Sequence, residues 1–367
     1  MKLRNRRICL FLLVCILIAT SVCAVEVADS KPLSAVYIES AICPSEYIEY
    51  AESNVDRFLK GTDFSSELPN GRFELGNPFS FTNEGSDVFY FPVLCDGEIE
   101  FLFRVFPLDD GGYSGILSSM LVDEISKLGI KSSMKKPMGL SMVGNEIVAS
   151  IGEEEYTLFE YLENAVSING SVARSESTEK TTVEITKPRL IIGSIQEITS
   201  RSSDSRYLGT NNTITETQQN DEPWCTAYSE AWIMRCIKTD FTSAVHIMSY
   251  IHGRVSTEDT LSHSEAITYA HYRGVYPIDH DSKLSNDLLI AELVNNRPVL
   301  YSVTRATQGS HAYHAIVLRG YNGDAETWSV WNPWYNVYET IDMGDVYVPY
   351  LHQSYTYRYY DTMTNFD

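Results

Sequence analysis

The stretch from Val25 to about Ser200 contains neither histidine nor tryptophan. All eight His lie between His246 and His352, and all five Trp between Trp224 and Trp334. A segment without imidazole lacks the side chain whose ordinary pKa lies nearest neutrality. The sequence therefore divides into an N-terminal half with no acid–base duty and a C-terminal half that carries the site. Basic residues are also scarce, 28 Lys+Arg against 49 Asp+Glu, for a formal charge of −21. Phosphate backbones repel such a surface, which excludes nucleic acid as a partner. Seven Cys are too few and too scattered for a disulfide scaffold, and 21 Gly with 13 Pro exclude collagen-like and low-complexity classes. Beyond the first thirty residues no apolar run is long enough for a membrane span. The 44 % hydrophobic and 12 % aromatic content, in contrast, suffices for a substantial core.

The first thirty residues follow another pattern. Lys2, Arg4, Arg6 and Arg7 precede an apolar run from Ile8 to Ala19, and Val22-Cys23-Ala24 follows with small residues. This layout predicts a secretory signal peptide over residues 1–24 and a secreted product, with cell-surface association as a further option. Removing it leaves Cys43, Cys95, Cys225 and Cys236, whose pairing the sequence leaves open.

Helical spacing is expected over Pro44–Leu59 and Tyr113–Leu128, and a hairpin over Asp87–Phe106 with Asp96-Gly97 as its turn. Leu140–Gly152 reads as one strand, Glu154–Leu162 as a strand or short helix, Ser167–Lys187 as a loop and Pro188–Ile198 as a strand. The polar stretch 201–212, with Arg201 and Arg206, reads as a linker open to proteolysis. It separates an N-terminal region, 25–200, from a C-terminal domain, 207–367. In that domain helices are expected near 225–237, 243–251, 262–272 and 284–295. Strands follow over 299–304, 314–321, 327–331 and 347–360. Helices followed by an antiparallel sheet give an α+β class.

Cys225 opens the first of these helices, directly after Pro223-Trp224. A helix N-terminus favours thiolate and is expected to lower the thiol pKa. A nucleophilic thiol needs a base, and His314 heads an apolar strand. The base needs an orienting group. Asn332, in Trp331-Asn332-Pro333-Trp334, falls beside His314 if the strands on either side of Asn322-Gly323 pair, and the flanking Trp would shield the bond. Gln219, six residues before Cys225, offers a side-chain amide that with the Cys225 N–H would hold an oxyanion. His311 competes with His314, and Gln218 with Gln219. Cys236 reads as a core or disulfide cysteine. His246, His252, His263, His271, His280 and His352 read as structural or surface groups, and no ligand cluster marks a metal site.

Gln-x5-Cys, then His-Ala before an apolar strand, then Asn-x-Trp, resembles the papain-like cysteine peptidases, and among them the secreted bacterial branch that includes the staphopains. The resemblance covers roughly Tyr207–Asp367. Two features depart from it: Trp224 precedes the cysteine and Thr226 follows it, and the family's small glycine near the nucleophile is absent. The resemblance implies a papain-like fold, Cys225 as nucleophile, His314 as acid–base, Asn332 as orienter and Gln219 as oxyanion donor. It implies protein or peptide substrates, no cofactor, and an N-terminal pro-region that blocks the cleft of a zymogen. A monomer is expected. A transamidase or amidase on the same fold, or a surface-binding protein with a degenerate site, are the alternatives.

Overall fold

The computed structural model describes residues 35–64, 71–81, 88–108, 110–143, 146–160, 179–199, 204–210, 222–239, 241–307, 310–344, 346–347 and 357–367. The expected signal peptide lies outside these residues. No described helix is long and apolar enough to cross a membrane.

After strand β1 (Tyr37–Ala41) comes helix α1 (Ser45–Lys60). It buries Tyr47, Ala51, Val55, Phe58 and Leu59, a spacing that puts them on one face. Val55, Phe58 and Leu59 each contribute about 2 kcal/mol when withdrawn from water. The face packs on Phe73 of β2 (Arg72–Leu75), Phe89, Phe91 and Val93 of β3 (Phe89–Cys95), and Phe103 and Val105 of β4 (Glu98–Pro107). Strands β3 and β4 form the expected hairpin. Asp96 and Gly97 both have positive φ, 49° and 87°, as a two-residue turn between twisted strands requires.

The reading of Tyr113–Leu128 as a single helix is corrected. Tyr113–Ser118 is strand β5, and only Val122–Gly129 is helical, as α2. The two-residue alternation is missing because β5 is an interior strand, with Ser114 to Ser118 all buried. Gly115 is required there, since a Cβ would meet the Phe103 ring at 2.5 Å. Leu140–Gly152 likewise divides, into the antiparallel strands β6 (Met138–Val143) and β7 (Glu146–Ile151), and β8 (Glu154–Glu160) is a strand. Part of the expected loop 167–187 is strand β9 (Lys180–Glu184), paired with β1 along its whole length. The expected strand 188–198 is β10 (Leu190–Ser194) followed by a short helix, α3 (Ile195–Thr199). Within the expected linker, β11 (Ser205–Tyr207) is a strand.

Helices then dominate, at or near the expected bounds: α4 (Cys225–Lys238), α5 (Ala244–His252), α6 (His263–Tyr272) and α7 (Asn286–Val294), with the short strand β12 (Ile278–His280) before α7. Ser262 and Glu265 form a reciprocal capping box at the start of α6. Strands β13 (Val299–Thr307), β14 (Ser310–Asn322), β15 (Thr327–Asn332), β16 (Val337–Asp342), β17 (Val346–Tyr347) and β18 (Tyr357–Thr364) complete the chain. This is the expected α+β class, with two further strands, β12 and β16.

Two sheets result. The smaller has the order β8-β7-β6-β1-β9. The larger runs β10-β2-β3-β4-β5-β16-β15-β14-β13-β18-β12, with β11 on β14 and β17 on β18. The stretches on either side of residue 200 therefore share one sheet, joined where β5 pairs with β16 (Leu117 opposite Thr340). Side chains reinforce that seam. Arg57 pairs with Asp342, Arg319 with Asp63, and the Asn322 amide donates to the Lys60 carbonyl at 2.8 Å.

Candidate active site

Cys225 is the first residue of α4. Its position is fixed by Trp224, which is buried and donates from its indole N–H to the Asp259 carbonyl at 3.0 Å. Further along α4, Trp232 stacks on Trp331 of β15, with ring centroids 6.3 Å apart. The helix meets β14 at Ala315. The Ser229 hydroxyl donates to the Ala315 carbonyl at 3.1 Å, and the Cys225 sulfur accepts from the Ala315 N–H. The cysteine-bearing helix is thus held against the residue that follows His314.

His314 is 1 % exposed. Its Nε2 lies 3.0 Å from Asn332 Oδ1. That oxygen also accepts from the Trp334 N–H at 3.0 Å, and the Asn332 amide nitrogen donates to Glu339 Oε2 at 3.3 Å. The Asn332 orientation is therefore set by a backbone donor on one side and a carboxylate on the other. Its Oδ1 is an acceptor, so Nε2 of His314 carries the proton and Nδ1 presents a lone pair. Nδ1 is buried without a hydrogen-bond partner among the described residues. Trp334 stacks on the imidazole, centroids 3.3 Å apart and planes 9° from parallel. Trp328 and Trp331 are buried in the core, and Trp334 covers the imidazole.

The electrostatics differ from the expectation for a helix N-terminus. Burial pushes the Cys225 thiol above its ordinary value, and this outweighs the hydrogen bonds from Ala315 and Thr226 that pull it down. Burial also lowers His314 to about 3, against the opposing pull of Asn332. Cys225 is half-buried as a residue, and desolvation of its sulfur outweighs the lowering expected from the helix dipole, which is corrected. Glu339, buried behind Asn332, has no motif that marks it in the sequence; it is found only because β16 pairs with β15.

Gln219 and its competitor Gln218 lie outside the described residues, as does the His311 side chain. Cys43, Cys95, Cys225 and Cys236 are all unpaired thiols. His252 and His280 make local hydrogen bonds, to the Thr260 carbonyl and the Thr364 hydroxyl. On the N-terminal side, Phe159 of β8 meets Tyr335, the neighbour of Trp334, edge to face at 5.8 Å.

Glu230, five residues after Cys225, is fully buried, and neither carboxylate oxygen has a hydrogen-bond partner among the described residues. Burial raises its pKa well above the ordinary value. A raised carboxyl means that the folded chain keeps a proton the unfolded chain releases above about pH 4.3. The group thus costs stability progressively as pH rises from there. Glu230→Gln is expected to raise stability by about 1–3 kcal/mol at pH 8 and to change it little at pH 4. Chemical denaturation at the two pH values checks this.

Known proteins resemble the chain as follows. Residues 205–366 match the model of the staphopain peptidase family. Staphopain B of Staphylococcus aureus strain N315 is 23 % identical over 382 residues, covering 92 % of this chain and 91 % of that protein. Staphopain B of strain MRSA252 is 24 % identical over 380 residues, with the same coverage. Among solved structures, the interpain A cysteine protease of Prevotella intermedia aligns with 45 % of this chain and 96 % of its own, at 13 % identity and a TM-score of 0.31. The chain is a cysteine-type peptidase, similar to the staphopains over residues 205–366.

Proposed function

We propose that this staphopain-like cysteine peptidase is exported and made as a latent precursor, with Cys225 as nucleophile, His314 as acid–base, Asn332 as orienter and Gln219 as oxyanion donor. The observation that carries the reading is the Asn332–His314 hydrogen bond at 3.0 Å, which leaves Nδ1 as the free base beside Ala315, the residue whose N–H reaches the Cys225 sulfur.

In the active form the thiol proton passes to Nδ1, and the thiolate attacks the scissile carbonyl carbon. The oxyanion is held by the Cys225 N–H and the Gln219 amide. The imidazolium then protonates the leaving amine as the carbon–nitrogen bond breaks, leaving a thioester. Water gives a proton to Nδ1 and attacks the thioester, and the acid product leaves as the thiol reforms. Throughout, Asn332 accepts from Nε2–H and keeps the ring in one tautomer.

Residues 1–24 act as the export signal, 25–200 as the pro-region, 201–212 as the linker that carries the processing site, and 207–367 as the catalytic domain, a monomer once released. Three features support latency. The thiol and imidazole are both held neutral by burial. Phe159 leans on the Trp334–Tyr335 corner. The pro-region is tied to the catalytic sheet at β5 and β16. Arg206 is a poor cleavage point because β11 pairs with β14, Arg206 opposite Tyr321, and a peptidase needs an unpaired strand. Cleavage is therefore assigned next to Arg201, before β11.

N-terminal sequencing of the secreted product tests this. The wild-type chain is expected to begin just beyond Arg201, and Cys225→Ser at Val25. Identical processed termini in both would exclude self-processing, and a chain found only in the cells with residues 1–24 retained would exclude export.

A further inference from the structure

Among the described histidines read as structural or surface groups, His263 has surroundings unlike the others. It is the first residue of α6, and its Nδ1 lies 3.0 Å from Asp279 Oδ1 of β12 and 3.1 Å from Asp361 Oδ2 of β18. Its other nitrogen, Nε2, lies 2.8 Å from the Ser302 hydroxyl of β13. Three segments far apart in sequence thus bring one imidazole nitrogen and two carboxylates together, with ligand atoms all within 4.8 Å of one another.

We propose that His263, Asp279 and Asp361 form a binding site for one divalent transition cation of the Zn2+ class, held by Nδ1 of the imidazole and one oxygen from each carboxylate.

Four observations support the site. The spacing is that of ligands around one ion: bonds of 2.0–2.1 Å in a tetrahedron set neighbouring ligand atoms about 3.3 Å apart, against 3.0 and 3.1 Å here. The imidazole is oriented from behind. In the metal-free protein the carboxylates can only accept, so Nδ1–H donates to them and Nε2 accepts from the buried Ser302 hydroxyl; with an ion at Nδ1 the ring proton sits on Nε2 and is donated to Ser302, the outer partner that fixes a ligating histidine. The cluster is anion-rich, since among the described residues neither Asp279 nor Asp361 pairs with Lys or Arg and His263 is the basic group they share. Finally, the site has an entrance, because Asp279 is exposed while His263 and Asp361 are half-buried.

The nitrogen ligand favours a borderline cation over Ca2+ or Mg2+, which prefer all-oxygen shells. On binding, the ion takes the place of the Nδ1 proton: a neutral ring takes up a proton at Nε2 as it gives one up at Nδ1, an imidazolium releases one proton to solvent, and water fills the remaining position. The order Ser302–His263–Asp also resembles a hydrolase triad. Ser302, however, is 6 % exposed, between Ala315 on β14 and Asp361 on β18, and leaves no room for an acyl group. It orients the ring.

The test uses the full-length Cys225→Ala chain stripped with a chelator, so that neither the nucleophile nor self-cleavage interferes. Equilibrium dialysis is expected to give one Zn2+ per chain, and Co2+ loading a visible spectrum without the near-ultraviolet thiolate band. Asp361→Asn and Asp279→Asn should each weaken Zn2+ binding at least tenfold, with the metal-free thermal transition retained. Asp279→Asn, on the exposed side, serves alone if Asp361→Asn fails to fold. Binding unchanged by these substitutions, a thiolate band in the Co2+ spectrum, or no Zn2+ beyond that held by the variants would each overturn the proposal.

Discussion

Cys225→Ala is expected to leave less than about 10⁻⁴ of the casein-hydrolysing activity of the released enzyme, because no other group described near His314 can form the acyl intermediate. His314→Ala should fall almost as far, since thiol and imidazole act as one unit and their effects do not add. Asn332→Ala should lose less than either but still a large factor. Without the amide, Nε2–H has no acceptor and the ring can turn its protonated nitrogen toward the sulfur. Initial rates on casein, with folding checked by circular dichroism, measure all three. Retained activity in Cys225→Ala would mean that another group is the nucleophile.

The second large effect concerns latency. In the full-length chain the Cys225 thiol is pushed up and His314 pulled down to about 3, so at pH 7 both groups are neutral. Because the thiolate is the reactive species, iodoacetamide should alkylate Cys225 at least about 100-fold more slowly in the precursor than in the released enzyme at pH 7. The pH profiles should differ in kind. A raised thiol with a lowered imidazole gives a precursor whose rate only climbs as pH rises past the ordinary thiol range. The released enzyme, once water reaches the site and the ion pair forms, should react already at mildly acidic pH. Phe159→Ser should move the precursor part of the way by loosening the contact with Tyr335. Equal rates in both forms would remove the electrostatic basis for latency.

Much of the site was legible because its signals are local. Pro223-Trp224-Cys225 marks a helix start, Asp96-Gly97 a hairpin turn, and the two strands flanking Asn322-Gly323 bring His314 and Asn332 to the same end of the pair, where Val317 faces Trp331. What was not legible depends on distant partners. β5 has no alternation because β4 and β16 cover both its edges and packing covers both faces. β9 is polar and is a strand only because β1 lies beside it. Glu339 gains meaning from the register of β16, and the cluster at His263 from three strands converging on the start of one helix. The direction of the Cys225 shift was misread for the same reason: a helix dipole can be read from sequence, whereas the surrounding protein that desolvates the sulfur cannot.

The most direct measurement of the central claim is the position of a covalent adduct. After reaction of the released enzyme with a peptidyl epoxide, trypsin separates the two helix cysteines, since Tyr207–Arg235 carries Cys225 and Cys236–Lys238 carries Cys236. Mass spectrometry should find one adduct, on Tyr207–Arg235, and almost none in His314→Ala. An adduct on Cys236, or labelling of Cys225 undiminished without the imidazole, would contradict the account.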